Sequence, residues 1–322
     1  MRMAKYILKR VLLMLFVLFV ITTACFVLVR MLPRSLPEGN KNQQQAVLQR
    51  WEQLGYNEPL PAQYKIYLTN IFTKGDFGTS WFIKYNTPAW DLLVGRLLPT
   101  VLVNVYSLLF SIPIGIMLGI YAAIKKNRWQ DSLISTTVMV FVSVPSYVYA
   151  FLVQYFLYFK LRWLPLTVYS LADAGGSWFT WDMFYSMIPA ILSLSFGSIA
   201  GMCRFTRAEL TESLTSDYML LARTKGLTRA QATSRHALKN AMVPILPSII
   251  SSFIGILGGS FIIESIFSIP GVGDLYLMSV NQRDYDVFMM DTIFYTLIGL
   301  LSGILVDISY GFIDPRIRMG EK

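Results

Sequence analysis

Six blocks of apolar residues, each long enough to cross a lipid bilayer, decide what this chain can become. They run over Leu8–Leu32, Pro99–Ala123, Leu133–Phe159, Met187–Cys203, Val243–Ile263 and Val287–Phe312. A helix needs roughly 20 apolar residues to cross about 30 Å of hydrocarbon; the fourth block is the shortest. Composition agrees, since only 15% of the 322 residues are charged and 54% are hydrophobic, whereas a soluble domain carries about 25% charged residues. The expected fold class is an all-α polytopic membrane protein of about six transmembrane helices. The first block follows a basic start, Arg2, Lys5, Lys9 and Arg10. It is longer than the roughly 7–15 apolar residues of a cleavable signal and no small-residue cleavage site follows it, so it is expected to remain as a helix.

Cytoplasmic loops hold an excess of Lys and Arg. With both termini cytoplasmic, Lys125, Lys126 and Arg128 lie inside, as does the basic stretch from Arg204 to Lys239, while Lys160–Tyr185 outside has no net charge. The net charge of +9 is therefore a topology signal and not a nucleic-acid footprint. Cys25 and Cys203 fall towards opposite faces, and His236 is the single histidine. That pattern argues against a disulfide and against a metal site on this chain.

Three parts follow from this layout: an N-terminal transmembrane helix (1–32), an extracytoplasmic segment (33–98) and a five-helix core (99–322) containing an inner loop, 204–240. The outer segment, with Trp51, Tyr64, Tyr67, Phe77, Trp81 and Trp90, has the aromatic content of a small ordered cap. Four core helices carry glycines four apart: Gly115/Gly119, Gly197/Gly201, Gly255/Gly259 and Gly299/Gly303. Such pairs let helices approach closely in lipid. Pro113, Pro145, Pro189, Pro244 and Pro247 lie in or beside helices, where each removes a backbone donor and favours a kink.

The inner loop is the most informative segment. Ser216–Lys225 reads as a short helix, capped at its start by Ser216 or Asp217, with Arg223 and Lys225 at the negative end of its dipole. Gly226 stands where a left-handed residue is wanted. Thr228 and Gln231 have capping-box spacing, so a second helix is expected from Arg229 to about Asn240, leading into the fifth span. A helix–Gly–helix elbow of this kind suits either a groove on a soluble partner or an anionic lipid surface.

The stretch Asp217-Tyr-Met-Leu-Leu-Ala-Arg-Thr-Lys-Gly-Leu-Thr, followed by Arg235-His-Ala-Leu-Lys-Asn-Ala-Met-Val-Pro, resembles the cytoplasmic loop of binding-protein-dependent ABC importer permeases. It is most similar to the oligopeptide/dipeptide/nickel family. Leu54-Gly-Tyr-Asn-Glu-Pro-Leu-Pro-Ala-Gln-Tyr, Gly75-Asp-Phe-Gly-Thr-Ser, Glu264-Ser-Ile-Phe-Ser-Ile-Pro-Gly-Val-Gly-Asp-Leu and Asp314-Pro-Arg-Ile-Arg extend the resemblance over nearly the whole chain. One departure stands out. The general ABC loop motif begins Glu-Ala-Ala and ends Leu-Pro, whereas this chain has Leu220-Leu221-Ala222 and Leu238-Lys239.

The resemblance implies an ABC type I importer-like permease core in a bacterial cell membrane, supplying half of a translocation path for oligopeptides or dipeptides. It also implies a second homologous permease, two cytoplasmic ATPase subunits and an extracytoplasmic solute-binding protein, with the outer segment and Phe267–Asp274 as surfaces for the last. Carried over by position, Tyr218, Ala222, Arg223, Gly226 and Leu227 form the ATPase-coupling elbow. The chain lacks a Gly-x-x-x-x-Gly-Lys-Ser/Thr phosphate loop. No catalytic site or cofactor is therefore expected on it, ATP and magnesium being left to the ATPase subunits. Asp307, a carboxylate well inside a span, is a candidate for the translocation path, because intramembrane carboxylates are expensive and face a partner or a wet cavity. The alternatives are a nickel or other small-solute permease, a proton-coupled secondary transporter and a structural subunit. An intramembrane hydrolase would need a Ser/His or paired-Asp constellation that is not visible.

Overall fold

The computed structural model describes residues 2–33, 36 and 41–313. Among the described residues, five helices are each long and apolar enough to span a membrane: Ile7–Met31, Ala89–Ile124, Trp181–Leu214, Arg229–Gly258 and Tyr285–Ser309. The sixth expected span, Leu133–Phe159, is instead a pair of segments, Trp129–Ser143 and Ser146–Lys160, bent by 99°. Pro145 causes the break. A proline disfavours the helical conformation of the residue before it, and Val144 is extended, at φ −90° and ψ 126°.

In chain order the elements are α1 (Arg2–Met31), α2 (Lys41–Gln53), α3 (Leu60–Lys74), the short strands β1 (Thr79–Ser80) and β2 (Thr87–Pro88), and α4 (Ala89–Ile124). Then come α5 (Trp129–Ser143), α6 (Ser146–Val153) with a π turn through Lys160, α7 (Trp181–Leu214), α8 (Asp217–Thr224) and α9 (Arg229–Ala232). After a π turn at Thr233–Ala237 follow α10 (Leu238–Gly255), α11 (Phe261–Ile266), α12 (Val272–Asn281) and α13 (Tyr285–Ile313). Three spans differ from the sequence expectation. Helix α4 begins at Ala89 and not Pro99; α7 runs on through Arg204 to Leu214; and the fifth span stops at Gly258, before Gly259 turns the chain with φ +60°.

The chain forms two compact units. The first comprises Met1–Thr100, Leu257–Phe261 and Pro270–Ile304. Helix α1 leaves Leu12, Phe16, Phe19 and Leu28 exposed, as a lipid-facing helix must, and packs its other face, with Phe26 at its centre, on Tyr67 and Met289. Between α1 and α4 lie two helices and a hairpin in which Thr79 faces Pro88. Asp284 anchors the hairpin. One carboxylate oxygen accepts from the Ser80 hydroxyl at 2.6 Å and from the N–H groups of Trp81, Phe82 and Ile83 at 3.1–3.2 Å. Asp286 accepts from the Thr79 N–H at 3.1 Å, and Arg96 pairs with Asp274 at 2.8 Å. An Arg50–Asp76 pair ties α2 to the end of α3.

The second unit comprises Val101–Ile256, Ile262–Ile269 and the last helix from Leu305 on. Helix α7 runs through its middle and buries Met183, Met187, Ala190 and Ile191 against Leu102, Val103, Ala150, Phe267 and Ile269. Of the four glycine pairs, Gly115/Gly119 makes a close helix contact. A Cβ on Gly115 would lie 2.7 Å from that of Met202, and one on Gly119 would lie 2.7 Å from the Cys203 carbonyl oxygen. Cβ atoms at Gly197, Gly201, Gly255, Gly299 and Gly303 would meet nothing within 4 Å.

Two tests follow. Hydrogen bonds to charged groups contribute about 1.5–3 kcal/mol each, so Asp284→Ala is expected to destabilise the hairpin by about 3 kcal/mol or more. Limited proteolysis between Ser80 and Thr87 reads this as faster cleavage. The second test uses pH. Burial pushes the Asp76 carboxyl up, but the hydrogen bonds from Arg50 and the Gly78 N–H, with the Arg50 charge, outweigh it and hold the group below its ordinary value. A carboxyl lowered in the folded state stabilises above its unfolded value of about 4 and loses that contribution as pH falls through the lowered one. Acid is thus expected to loosen α2, read by Trp51 fluorescence, and Arg50→Ala to remove that component of the acid response.

Candidate functional site

The elbow is assembled from local signals. Helix α7 ends at Leu214, and Ser216 takes the extended conformation of an N-cap, at φ −77° and ψ 155°. Its hydroxyl does not cap α8, as was expected, but donates backwards to the Ser213 carbonyl at 2.6 Å. Asp217, in the first turn of α8, instead places negative charge at the positive end of the dipole. Helix α8 closes with the Gly226 N–H donating to Arg223 O at 3.0 Å and the Leu227 N–H to Ala222 O at 3.3 Å. This is the Schellman pattern, which needs a left-handed residue after the cap; Gly226 has φ +88°. The capping box is present in both directions. The Gln231 N–H donates to the Thr228 hydroxyl at 3.3 Å, and the Thr228 N–H donates to the Gln231 side chain at 3.0 Å.

One side of the elbow is packed and the other is open. Met219 and Ala222 of α8 join Ala232, Ala237 and Ala241 in a cluster with Ala123 and Leu210, and Tyr218 and Leu227 pack at its edge. Small alanines at these positions let α8 and the Arg229–Gly255 segment lie close to the ends of α4 and α7. Burial pushes the Tyr218 phenol up, but hydrogen bonds with Ser213, Ser216 and Asn240 outweigh it and leave the group below its ordinary value. On the open side, Leu220 is 65% exposed and Leu221 55%, and Arg223 is exposed beside them.

The five residues expected in the elbow thus divide. Arg223 and Gly226 are exposed, Ala222 is buried, and Tyr218 and Leu227 are half-buried. Ala222 builds the elbow and cannot touch a partner; Leu220 and Leu221, read earlier only as departures from a motif, supply the exposed apolar surface. Their signal was in the sequence. Two leucines next to Met219 and Ala222 on so short a helix cannot all face inward.

Asp307 lies half-buried near the end of the last span. It is not the deepest carboxylate. Asp291 in the same helix is fully buried, and neither of its oxygens has a hydrogen-bond partner among the described residues. Much of the expected outer surface Phe267–Asp274 is also inaccessible: Phe267, Ile269, Gly271, Val272 and Gly273 are buried, leaving Ser268 and Pro270 exposed. The Asp314–Arg318 stretch lies outside the described residues. Among those described, no group of three or more His, Cys, Asp or Glu side chains is arranged to hold a metal ion.

Residues 115–319 match the family described as binding-protein-dependent transport system inner membrane component, and residues 3–101 match its N-terminal region. The chain is 35% identical to a dipeptide transport system permease protein of Lactococcus lactis subsp. cremoris, over 98% of this chain and 100% of that one. It is 33% identical to the dipeptide transport system permease protein of Bacillus subtilis, over 99% and 100%. A glutathione transport system permease protein of Salmonella paratyphi A is 32% identical over 98% and 99%.

Since a Cβ at Gly226 would meet nothing within 4 Å, Gly226→Ala tests the backbone alone. A non-glycine residue in the left-handed region costs roughly 1–2 kcal/mol, and loss of a threonine cap by Thr228→Ala costs about 1 kcal/mol. Each is expected to raise hydrogen exchange of the amides from Leu220 to Gln231 about fivefold or more, with exchange in α7 unchanged.

Proposed function

Because the chain belongs to the family of binding-protein-dependent transport system inner membrane components, we propose that it passes dipeptides or short oligopeptides through the membrane, driven by ATPases docked on its elbow. It is a permease subunit of an ATP-binding-cassette importer, a multi-pass protein of the bacterial inner membrane and not itself a catalyst. Binding-protein and ATPase partners belong to this family in general.

Similarity over 98–99% of the chain to permeases named for dipeptides supports the substrate class. Glutathione, named for another relative, is itself a small peptide. In this reading a second homologous permease supplies the other half of the path, and two separate ATPase subunits bind ATP and magnesium. Leu220, Leu221 and Arg223 form the surface that one ATPase grips. The single observation that carries this placement is the pair of exposed leucines on a helix whose other face, Met219 and Ala222, is packed on its own chain. Tyr218, Ala222, Gly226 and Leu227 hold that surface in shape. Asp307 lines the path near one end of its span, where a half-buried carboxylate meets water or solute more readily than lipid.

Affinity purification of the intact chain in mild detergent, with uptake of a labelled dipeptide in proteoliposomes, tests the proposal. The unaltered complex is expected to carry ATPases and to take up dipeptide only with ATP. Leu220→Asp with Leu221→Asp is expected to cut ATPase recovery more than tenfold, and Asp307→Asn to lower uptake with the complex intact. Uptake driven by a proton gradient without ATP would overturn it.

A further inference from the structure

The segment of α7 just before the elbow is held to two other helices by contacts of opposite kinds. Arg207 lies about two helical turns before the end of α7. Its Nε and Nη2 donate to the two carboxylate oxygens of Asp131, at 2.6 and 2.8 Å. Asp131 sits in the first turn of α5, and its side chain is 5% exposed. It also accepts from the Asn127 N–H at 3.0 Å and the Ser135 hydroxyl at 3.3 Å. Its lone pairs are thus fully used, and the paired guanidinium geometry fixes direction as well as distance. On the α4 side the contact is van der Waals packing without clearance. A Cβ on Gly119 would lie 2.7 Å from both the Cys203 carbonyl oxygen and the Thr206 Cβ, and 3.1 Å from the Arg207 amide nitrogen.

We propose that the Asp131–Arg207 pair is a transmission clamp that makes α5 follow α7 when the elbow is moved. Only Thr215 and Ser216 separate α7 from α8, and Ser216 donates its hydroxyl back to the Ser213 carbonyl at 2.6 Å, so a displacement of α8 is passed to the lower end of α7. Close packing against Gly119 resists approach of α4 but does not resist sliding or separation. A bidentate ion pair resists both, because either movement breaks two charge-assisted hydrogen bonds at once. Helix α5 is also the half of the bent span that ends at Pro145, so turning it moves the break at mid-span. Asp131 and Arg207 are positioning residues; neither need touch solute or ATP. The inference rests on the importer reading above.

The test is ATP hydrolysis and dipeptide uptake measured together on the intact complex in proteoliposomes, for the unaltered protein, Asp131→Asn, Arg207→Gln and Arg207→Lys. The neutral variants are expected to keep hydrolysis within about twofold while uptake falls about tenfold, so that more ATP is consumed per peptide. Arg207→Lys, which keeps the charge but not the two-pronged geometry, is expected to fall between. Hydrolysis and uptake falling in equal proportion, together with a lower melting temperature, would mark the pair as structural support and overturn the clamp alone. Unchanged uptake would overturn it as well. No ATP-driven uptake by the unaltered complex would overturn the importer reading, and the clamp with it.

Discussion

The approach of α4 to α7 at Gly115 and Gly119 is the contact on which the second unit depends. Two missing side chains allow the backbone of α4 to lie against the Ile199 and Cys203 carbonyls and the Arg207 amide of α7. In lipid, helices gain nothing from burying apolar surface against one another, since the tails are equally apolar, so packing at close range must supply the attraction. Once α4 and α7 are this near, Ser107 and Ser195 fall within 3.2 Å. The ends of the two helices then form the floor on which Met219, Ala222 and Ala232 settle. The elbow has its shape because that floor exists.

In each unit one buried aspartate is matched by several donors at once. Asp131 is matched by Arg207, Asn127 and Ser135, and Asp284 by a hydroxyl and three consecutive amides. Both aspartates accept from groups the secondary structure leaves without a partner, at a turn or in a hairpin. Asp291 differs: it is fully buried, and neither oxygen is hydrogen-bonded among the described residues. An ionised carboxylate so placed is costly to keep.

The elbow and the bent pair at Pro145 differ in character. The elbow spends its buried face on its own helices and leaves Leu220, Leu221 and Arg223 outward. A short helix stabilised by a Schellman turn and a following capping box does not need a partner to hold its shape, so it can transmit force as a rigid piece. The bent pair at Pro145 has the opposite character. Its two segments are separated by one extended residue and a proline, and a change of direction there breaks no helical hydrogen bond.

The sequence by itself determined the approximate placement of the membrane segments, because apolar length is a local property set against the thickness of hydrocarbon. It also determined the elbow: Gly226, Thr228 and Gln231 act over three or four residues, and their geometry came out as their spacing required. Family membership was legible for the same reason, in motifs that are contiguous in the chain. Only the tertiary structure decided that Ala222 faces inward while its neighbours face out, since the direction of a one-helix face depends on the floor beneath it. It alone decided that Gly115/Gly119, among four pairs of the same spacing, makes the close contact. It also paired Asp131 with Arg207, 76 residues apart, because complementary charges find each other through packing, and no local pattern records which distant helix will be adjacent.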